Sequence, residues 1–103
     1  MRRYILARPA KESLRSITRY TDRTWGREQR VKYLAALNHR FNALAAQPEK
    51  GRVVNTQRPD LRCVKEGKHL IFYFIGDNRI IIVDLLHENM DVAAHMERWT
   101  KGV

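Results

Sequence analysis

Two periodicities divide the chain. From Ala10 to Trp25, the residues Ala10, Leu14, Ile17, Thr21 and Trp25 recur at spacings of three and four, the period of one buried helical face. Lys11, Arg15, Arg19 and Arg23 recur every fourth residue on a different face of the same helix, spread over about a third of its circumference. Gly26 interrupts both stripes, as a glycine able to take positive φ does at a helix end. A second helix is predicted from Arg27 to Ala46, with Arg30, Leu34, Leu37, Phe41, Leu44 and Ala45 along one side and Gln47-Pro48 as its stop. Helices joined through one glycine must double back, so the two form a hairpin whose apolar stripes face a common core.

The rest of the chain reads as strands. A short first strand is expected from Arg3 to Arg8, ended by Pro9, which suits the first turn of the following helix. Residues 48–59 hold Pro48, Gly51, Arg52, Arg58 and Pro59 and read as an irregular connection. Apolar runs at Leu61–Lys65, Lys68–Ile75 and Arg79–Leu86, separated by Glu66-Gly67 and Gly76-Asp77-Asn78, predict a three-stranded antiparallel meander. Val92, Ala93, Met96 and Trp99 then predict a short C-terminal helix with Asp91 as its N-cap, stable only if it docks. The expected class is α+β: an N-terminal strand, a helical hairpin, a meander in one sheet and a short last helix, all in one domain spanning 1–103.

Composition narrows the setting. The apolar runs are strand-length, far below the ~20 residues of a membrane helix. The apolar stretch after Met1-Arg2-Arg3 is too short for a secretory signal, so a cytoplasmic home is expected. The single cysteine, Cys63, has no spaced partners for a zinc site and reads as a small core or edge residue. No metal or cofactor is expected. The net charge of +9 is lopsided: residues 1–52 hold 13 Lys/Arg and 4 Asp/Glu, whereas residues 53–103 hold 7 of each. Such an excess favours an acidic partner, either nucleic acid through counterion release or an acidic protein segment through steering.

One stretch concentrates the polar chemistry. The strand Ile80-Ile81-Ile82-Val83-Asp84-Leu85-Leu86 runs directly into His87-Glu88-Asn89-Met90-Asp91, with His69 at the start of the neighbouring strand. On strict alternation Asp84 shares a face with Ile80, Ile82 and Leu86, and a carboxylate buried there needs a partner, for which a salt bridge to a basic residue is the simplest expectation. His87 is expected to orient the turn through a hydrogen bond to the Asp91 carboxylate or to a backbone carbonyl. Trp99 reads as a core residue, while Met90 and Met96 could contribute to an exposed apolar patch.

Read in order, Tyr20-Thr21, Trp25-Gly26, Gln29, Tyr33-Leu34, Pro48, Gly51-Arg52, Leu61-Arg62, His69-Leu70-Ile71-Phe72-Tyr73 and Leu86-His87-x-x-Met90-Asp91 resemble the ParE toxin family. The likeness runs over roughly residues 4–95. It implies the small α+β fold shared by ParE and RelE toxins, in a bacterial type II toxin–antitoxin pair used in plasmid stabilisation. It further implies a toxin that is not an enzyme, poisons DNA gyrase by stabilising its cleaved-DNA complex, touches DNA only within that complex, and is silenced by a ParD-like antitoxin in a hetero-oligomer. Candidate gyrase-binding residues are then Arg62, His87, Met90, Asp91 and Trp99. Lys11, Arg15, Arg19 and Arg23 are candidates for receiving the antitoxin.

The alternative is a ribosome-dependent mRNA endonuclease of the RelE type. Cleavage by 2′-OH attack needs a base, an acid and cations for the phosphate. Glu66 or Glu88, His69 or His87, and Arg62, Lys65 or Arg79 could fill those roles, but Asp84 and Glu88 would repel a phosphate at the strand end.

Overall fold

The computed structural model describes residues 3–100. One mixed sheet has the strand order β1-β5-β4-β3-β2, with β1 at Arg3–Leu6, β2 at Arg52–Val53, β3 at Leu61–Glu66, β4 at His69–Ile75 and β5 at Arg79–His87. Strands β3, β4 and β5 form the predicted antiparallel meander. β1 instead lies parallel to β5, with Arg3 beside Arg79 and Leu6 beside Ile82. The connection read as irregular contains a 3-10 turn at Pro48–Lys50 and the two-residue β2, which pairs antiparallel with β3.

Helices α1 (Arg8–Trp25) and α2 (Arg27–Ala46) cover one face of the sheet. The first strand stops at Leu6 rather than Arg8, because Pro9 occupies the first helical turn, where a missing N–H leaves no bond unmade, and Arg8 is already helical. Gly26, at φ 92° and ψ 172°, ends α1 and starts α2 in a conformation close to glycine-only. Residues 22–29 are all exposed, so the hairpin tip passes beyond the packed face. That corrects the expectation for Trp25: Thr21 is the last buried position of α1, and Trp25 is 69% exposed.

Ala10 and Ile17 of α1 and Leu37, Phe41 and Leu44 of α2 meet Ile71, Tyr73, Ile80, Ile82 and Leu85 in the larger core. Each large aliphatic chain fully buried there contributes about 1.5–3 kcal/mol. A smaller cluster of Cys63, Phe72 and Leu86 lies apart from it and is packed by Val54, Val92 and Trp99. Helix α3 (Val92–Thr100) docks on it through Trp99, whose ring centroid lies 4.9 Å from that of Phe72. Asp91 caps α3 as predicted, its Oδ1 accepting the Ala94 N–H at 3.2 Å.

The register slips by one residue inside β5. Tyr73 pairs with Ile82 but Phe72 pairs with Asp84, so Val83 is left without a partner, as in a β-bulge. Before the slip Ile80 and Ile82 join the helical core. After it Leu85 does, while Leu86 joins the cluster under α3. Strict alternation had placed Leu86 with Ile80 and Ile82, and the slip overturns that placement.

Tyr73 fixes the connection into β2. Its buried hydroxyl donates to the Pro48 carbonyl at 2.6 Å and accepts the Gly51 N–H at 2.9 Å. Gly51 must be glycine, since a Cβ there would collide with that hydroxyl. Tyr73→Phe strands a buried donor and a buried acceptor, so it is expected to cost about 1–3 kcal/mol in urea unfolding. A loss below a few tenths of a kcal/mol would show that the hydroxyl bonds contribute nothing net.

Candidate functional site

The end of β5 brings the polar residues together. His69 and His87 face each other across β4 and β5, ring centroids 5.6 Å apart and nearly perpendicular at 87°. Both follow the parity of Ile71 and Leu85, so they lie on the helical side of the sheet. From α2, the Tyr33 hydroxyl reaches the Glu66 carbonyl at 3.0 Å and His69 Nδ1 at 2.6 Å. Donating its one proton to Glu66 leaves His69 to donate from Nδ1 to the tyrosine oxygen. Burial, then the neighbouring His87, hold the His69 pKa below its usual value, with Glu88 working in the other direction. Burial and, to a lesser extent, Glu66 push the Tyr33 hydroxyl up to about 12, so it keeps its proton.

His87 does orient the turn, but with a different partner from the one expected. Its Nδ1 accepts the Asn89 N–H at 3.2 Å and its carbonyl accepts the Met90 N–H at 2.9 Å, while the Asp91 carboxylate is spent on the cap. The expected salt bridge to Asp84 is absent among the described residues. Its Oδ1 accepts instead from Ser13 Oγ on α1 at 2.5 Å and from the Leu85 N–H at 2.8 Å. On the α1 side a serine rather than a cation stands opposite the carboxylate. Sequence reading missed Ser13, although a serine three residues from buried Ala10 and four from Ile17 borders the apolar face and is suited to answer a buried carboxylate.

Two adjoining clefts open around these histidines. One, of about 550 Å³, lies between the start of α1, the end of β5 and α3, and is lined among others by Asp84, His87, Met90, His95 and Trp99. The other, of about 600 Å³, runs along α1 past Tyr20 and Trp25 to Tyr33, Gly67 and Lys68. They share Ser16, Ile17, His69 and His87, so together they form one groove along the open side of the hairpin. Tyr20 and Trp25, 63% and 69% exposed, rim it.

Of the candidate target-binding residues, His87, Met90 and Trp99 line the same cleft and Asp91 holds α3 beside it. Met90 is 51% exposed. Arg62 lies elsewhere. It precedes Glu66 by four residues on β3, about 13 Å along a strand, and its guanidinium donates to the Pro59 and Gly51 carbonyls at 3.1 and 3.0 Å. That clamps the connection between α2 and β3.

Lys11, Arg15, Arg19 and Arg23 are all exposed, and none has an ion pair among the described residues. Three successive like-charge neighbours at i,i+4 cost about 0.2–0.5 kcal/mol each.

Of the nuclease candidates, Glu66, His69, His87, Glu88 and Lys65 come together at this end of the sheet, whereas Arg62 and Arg79 lie away from it, and the acids there are already paired. Glu66 pairs with Arg40 at 3.6 Å, Glu88 with Lys65 at 2.8 Å, and Arg79 begins β5 at the far end from His87. Among the described residues no group of His, Cys, Asp or Glu has the arrangement to hold a metal ion.

Comparison with known proteins places this geometry in a class. Against solved structures, the fold superposes on a chain from the chromosomal ParDE toxin–antitoxin system of P. aeruginosa, with a TM-score of 0.69 at 16% identity, covering 84% of this chain and 96% of that one. That likeness shows a shared α+β fold. Residues 4–92 match the family model described as the ParE toxin of the type II toxin–antitoxin system parDE. Toxin ParE1 of Mycobacterium tuberculosis is 37% identical over 91 residues, covering 87% of this chain and 93% of the relative. Toxin ParE1 of Caulobacter vibrioides is 33% identical over 96 residues, covering 93% and 99%. Toxin ParE of Escherichia coli is 33% identical over 103 residues, covering 99% and 100%. The chain belongs to the ParE toxin family of type II toxin–antitoxin systems.

The His69 environment sets a pH dependence. Its folded pKa lies below the ordinary histidine value of about 6.5, so the unfolded chain binds the proton more readily. The contribution is fully present above about pH 6.5 and is lost as pH falls through the folded pKa. Urea midpoints are therefore expected to fall from pH 7.5 to pH 5, and His69→Gln is expected to flatten that slope. An unchanged slope in the variant would assign the pH dependence to other groups.

Proposed function

We propose that this toxin poisons DNA gyrase by contact, binding the enzyme and stabilising its cleaved-DNA complex without catalysing a reaction, and that a ParD-like antitoxin silences it. Cytoplasmic action follows from that target. The observation that carries the contact reading is the groove beside Met90. An exposed methionine projects from a turn that His87 and the Asp91 cap hold rigid, next to the His69–His87 pair. A flexible apolar side chain on a rigid turn suits recognition of a protein surface. Several groups that acid–base chemistry would call on have partners already: Glu66 pairs with Arg40, Glu88 with Lys65, and His69 bonds the Tyr33 hydroxyl.

Purified toxin should inhibit gyrase supercoiling and raise the yield of linear DNA. Met90→Glu, at an exposed site, should leave the urea midpoint within error and weaken poisoning at least ~10-fold, the effect of ~1.4 kcal/mol of lost binding. Supercoiling that proceeds unaffected at micromolar toxin, with no added linear DNA, would rule this function out. Transcripts cut in translating ribosomes would point to the RelE-type alternative.

For the antitoxin, the groove rimmed by Tyr20 and Trp25 supplies apolar anchorage for an acidic, amphipathic segment, and the α1 cations supply the attracting field. Association should slow as salt rises, because exposed charges are screened within ~10 Å at 0.1 M. Stopped-flow association rates that do not change between low and high salt would remove the stripe from that role.

A further inference from the structure

The α1 stripe has a property that antitoxin steering does not use: it has no apolar component. On the helical wheel Lys11, Arg15, Arg19 and Arg23 span about 120°, centred opposite the side that buries Ala10, Ile17 and Thr21. The only other residues within that sector are Arg8, Glu12 and Asp22. Glu12 is held by Arg8 at 3.6 Å and Asp22 by Arg30 of α2 at 3.3 Å, so both acids of α1 are answered by cations outside the stripe. The four stripe cations remain without acidic partners among the described residues. They form an outward ridge with one positive group about every 6 Å over ~18 Å of helix. The exposed aromatic side chains, Tyr20 and Trp25, fall outside that sector.

A stable protein partner needs an apolar interface core, which this ridge does not offer. A phosphate backbone needs only spaced cations, and it binds through release of its counterions. We infer that the α1 ridge docks on the phosphate backbone of duplex DNA, giving the toxin a DNA contact of its own through Lys11, Arg15, Arg19 and Arg23. The contact is sequence-independent, since long flexible cations on one ridge read charge and spacing rather than base edges. It would let the toxin hold both components of a protein–DNA complex, but it does not require gyrase to be the protein.

The test measures binding of full-length toxin to a labelled duplex of about 20 base pairs by fluorescence anisotropy, from ~50 to ~200 mM NaCl, with no gyrase present. Four phosphate contacts predict a slope of log K against log salt of about −3.6. Arg15→Gln with Arg19→Gln should bring the slope to about −1.8 and weaken binding at low salt. The control Lys50→Gln with Arg79→Gln removes the same charge from exposed sites off the ridge and should leave the slope unchanged. Circular dichroism establishes that both variants keep their helix content, and a ridge variant that loses it is replaced by Lys11→Gln with Arg23→Gln. Equal losses in the ridge and control variants would reduce the effect to net charge and overturn the inference, as would absence of duplex binding at low salt. Because gyrase is absent, that failure leaves the poisoning assay untouched, and failed poisoning with intact ridge binding would do the converse.

Discussion

The one-residue slip in β5 is the constraint on which the functional end of the molecule depends. β5 lies between β1, to which it is parallel, and β4, to which it is antiparallel, so its parity decides what each face presents near the site. Without the slip, His87 would lie on the face of the strand opposite Ile80 and Ile82, the one that now carries Leu86 under α3. With it, Leu86 anchors the surface that α3 packs against, and His87 turns toward α1 to pair with His69. The Asp84 carboxylate secures the irregularity by accepting from Ser13 of α1 and from the Leu85 N–H. A buried carboxylate with two donors is stable where an unpaired one is not. One polar contact thus ties the helical hairpin to the strand whose end builds the groove.

The two faces of the sheet divide the work. The helical face holds the larger core and leaves one open margin, where Tyr33, His69 and His87 make a bonded polar floor between α1 and α2 on one side and the β3–β4 turn on the other. The opposite face holds α3 through Phe72 and Trp99. A nine-residue helix is too short to be stable alone, so its position depends on that ring contact and on the Asp91 cap. Met90 sits in the turn between strand and helix, between the His87 bond to Asn89 and the Asp91 cap, and is half exposed there.

Much of this was legible in the sequence because it rests on local rules. Both helices, the glycine between them, the meander and the Asp91 cap came from periodicity, turn chemistry and capping, and the motifs from Tyr20-Thr21 to Met90-Asp91 gave the family. What was not legible depends on pairing across the sheet. The parallel seat of β1 is set by the hairpin's return path, and the two-residue β2 is made by Tyr73 and Arg62 gripping a loop. The slip at Val83 defeats an alternation argument because nothing in an Ile-Ile-Ile-Val run marks where the extra residue falls. Arg62 stands apart from the other candidates for a related reason: the Pro59 and Gly51 carbonyls that its guanidinium meets belong to a connection whose path the sequence does not show. The spacing of Trp25 puts it on the apolar stripe of α1, but spacing cannot show where a helix outruns the sheet beneath it.

The central claim is that the groove works by contact, and stoichiometry distinguishes contact from catalysis most directly. Toxin titrated against a fixed amount of gyrase and DNA should raise linear DNA in proportion until toxin and gyrase are about equimolar, then plateau. A full effect at amounts far below gyrase, growing with time, would mean turnover and contradict the account.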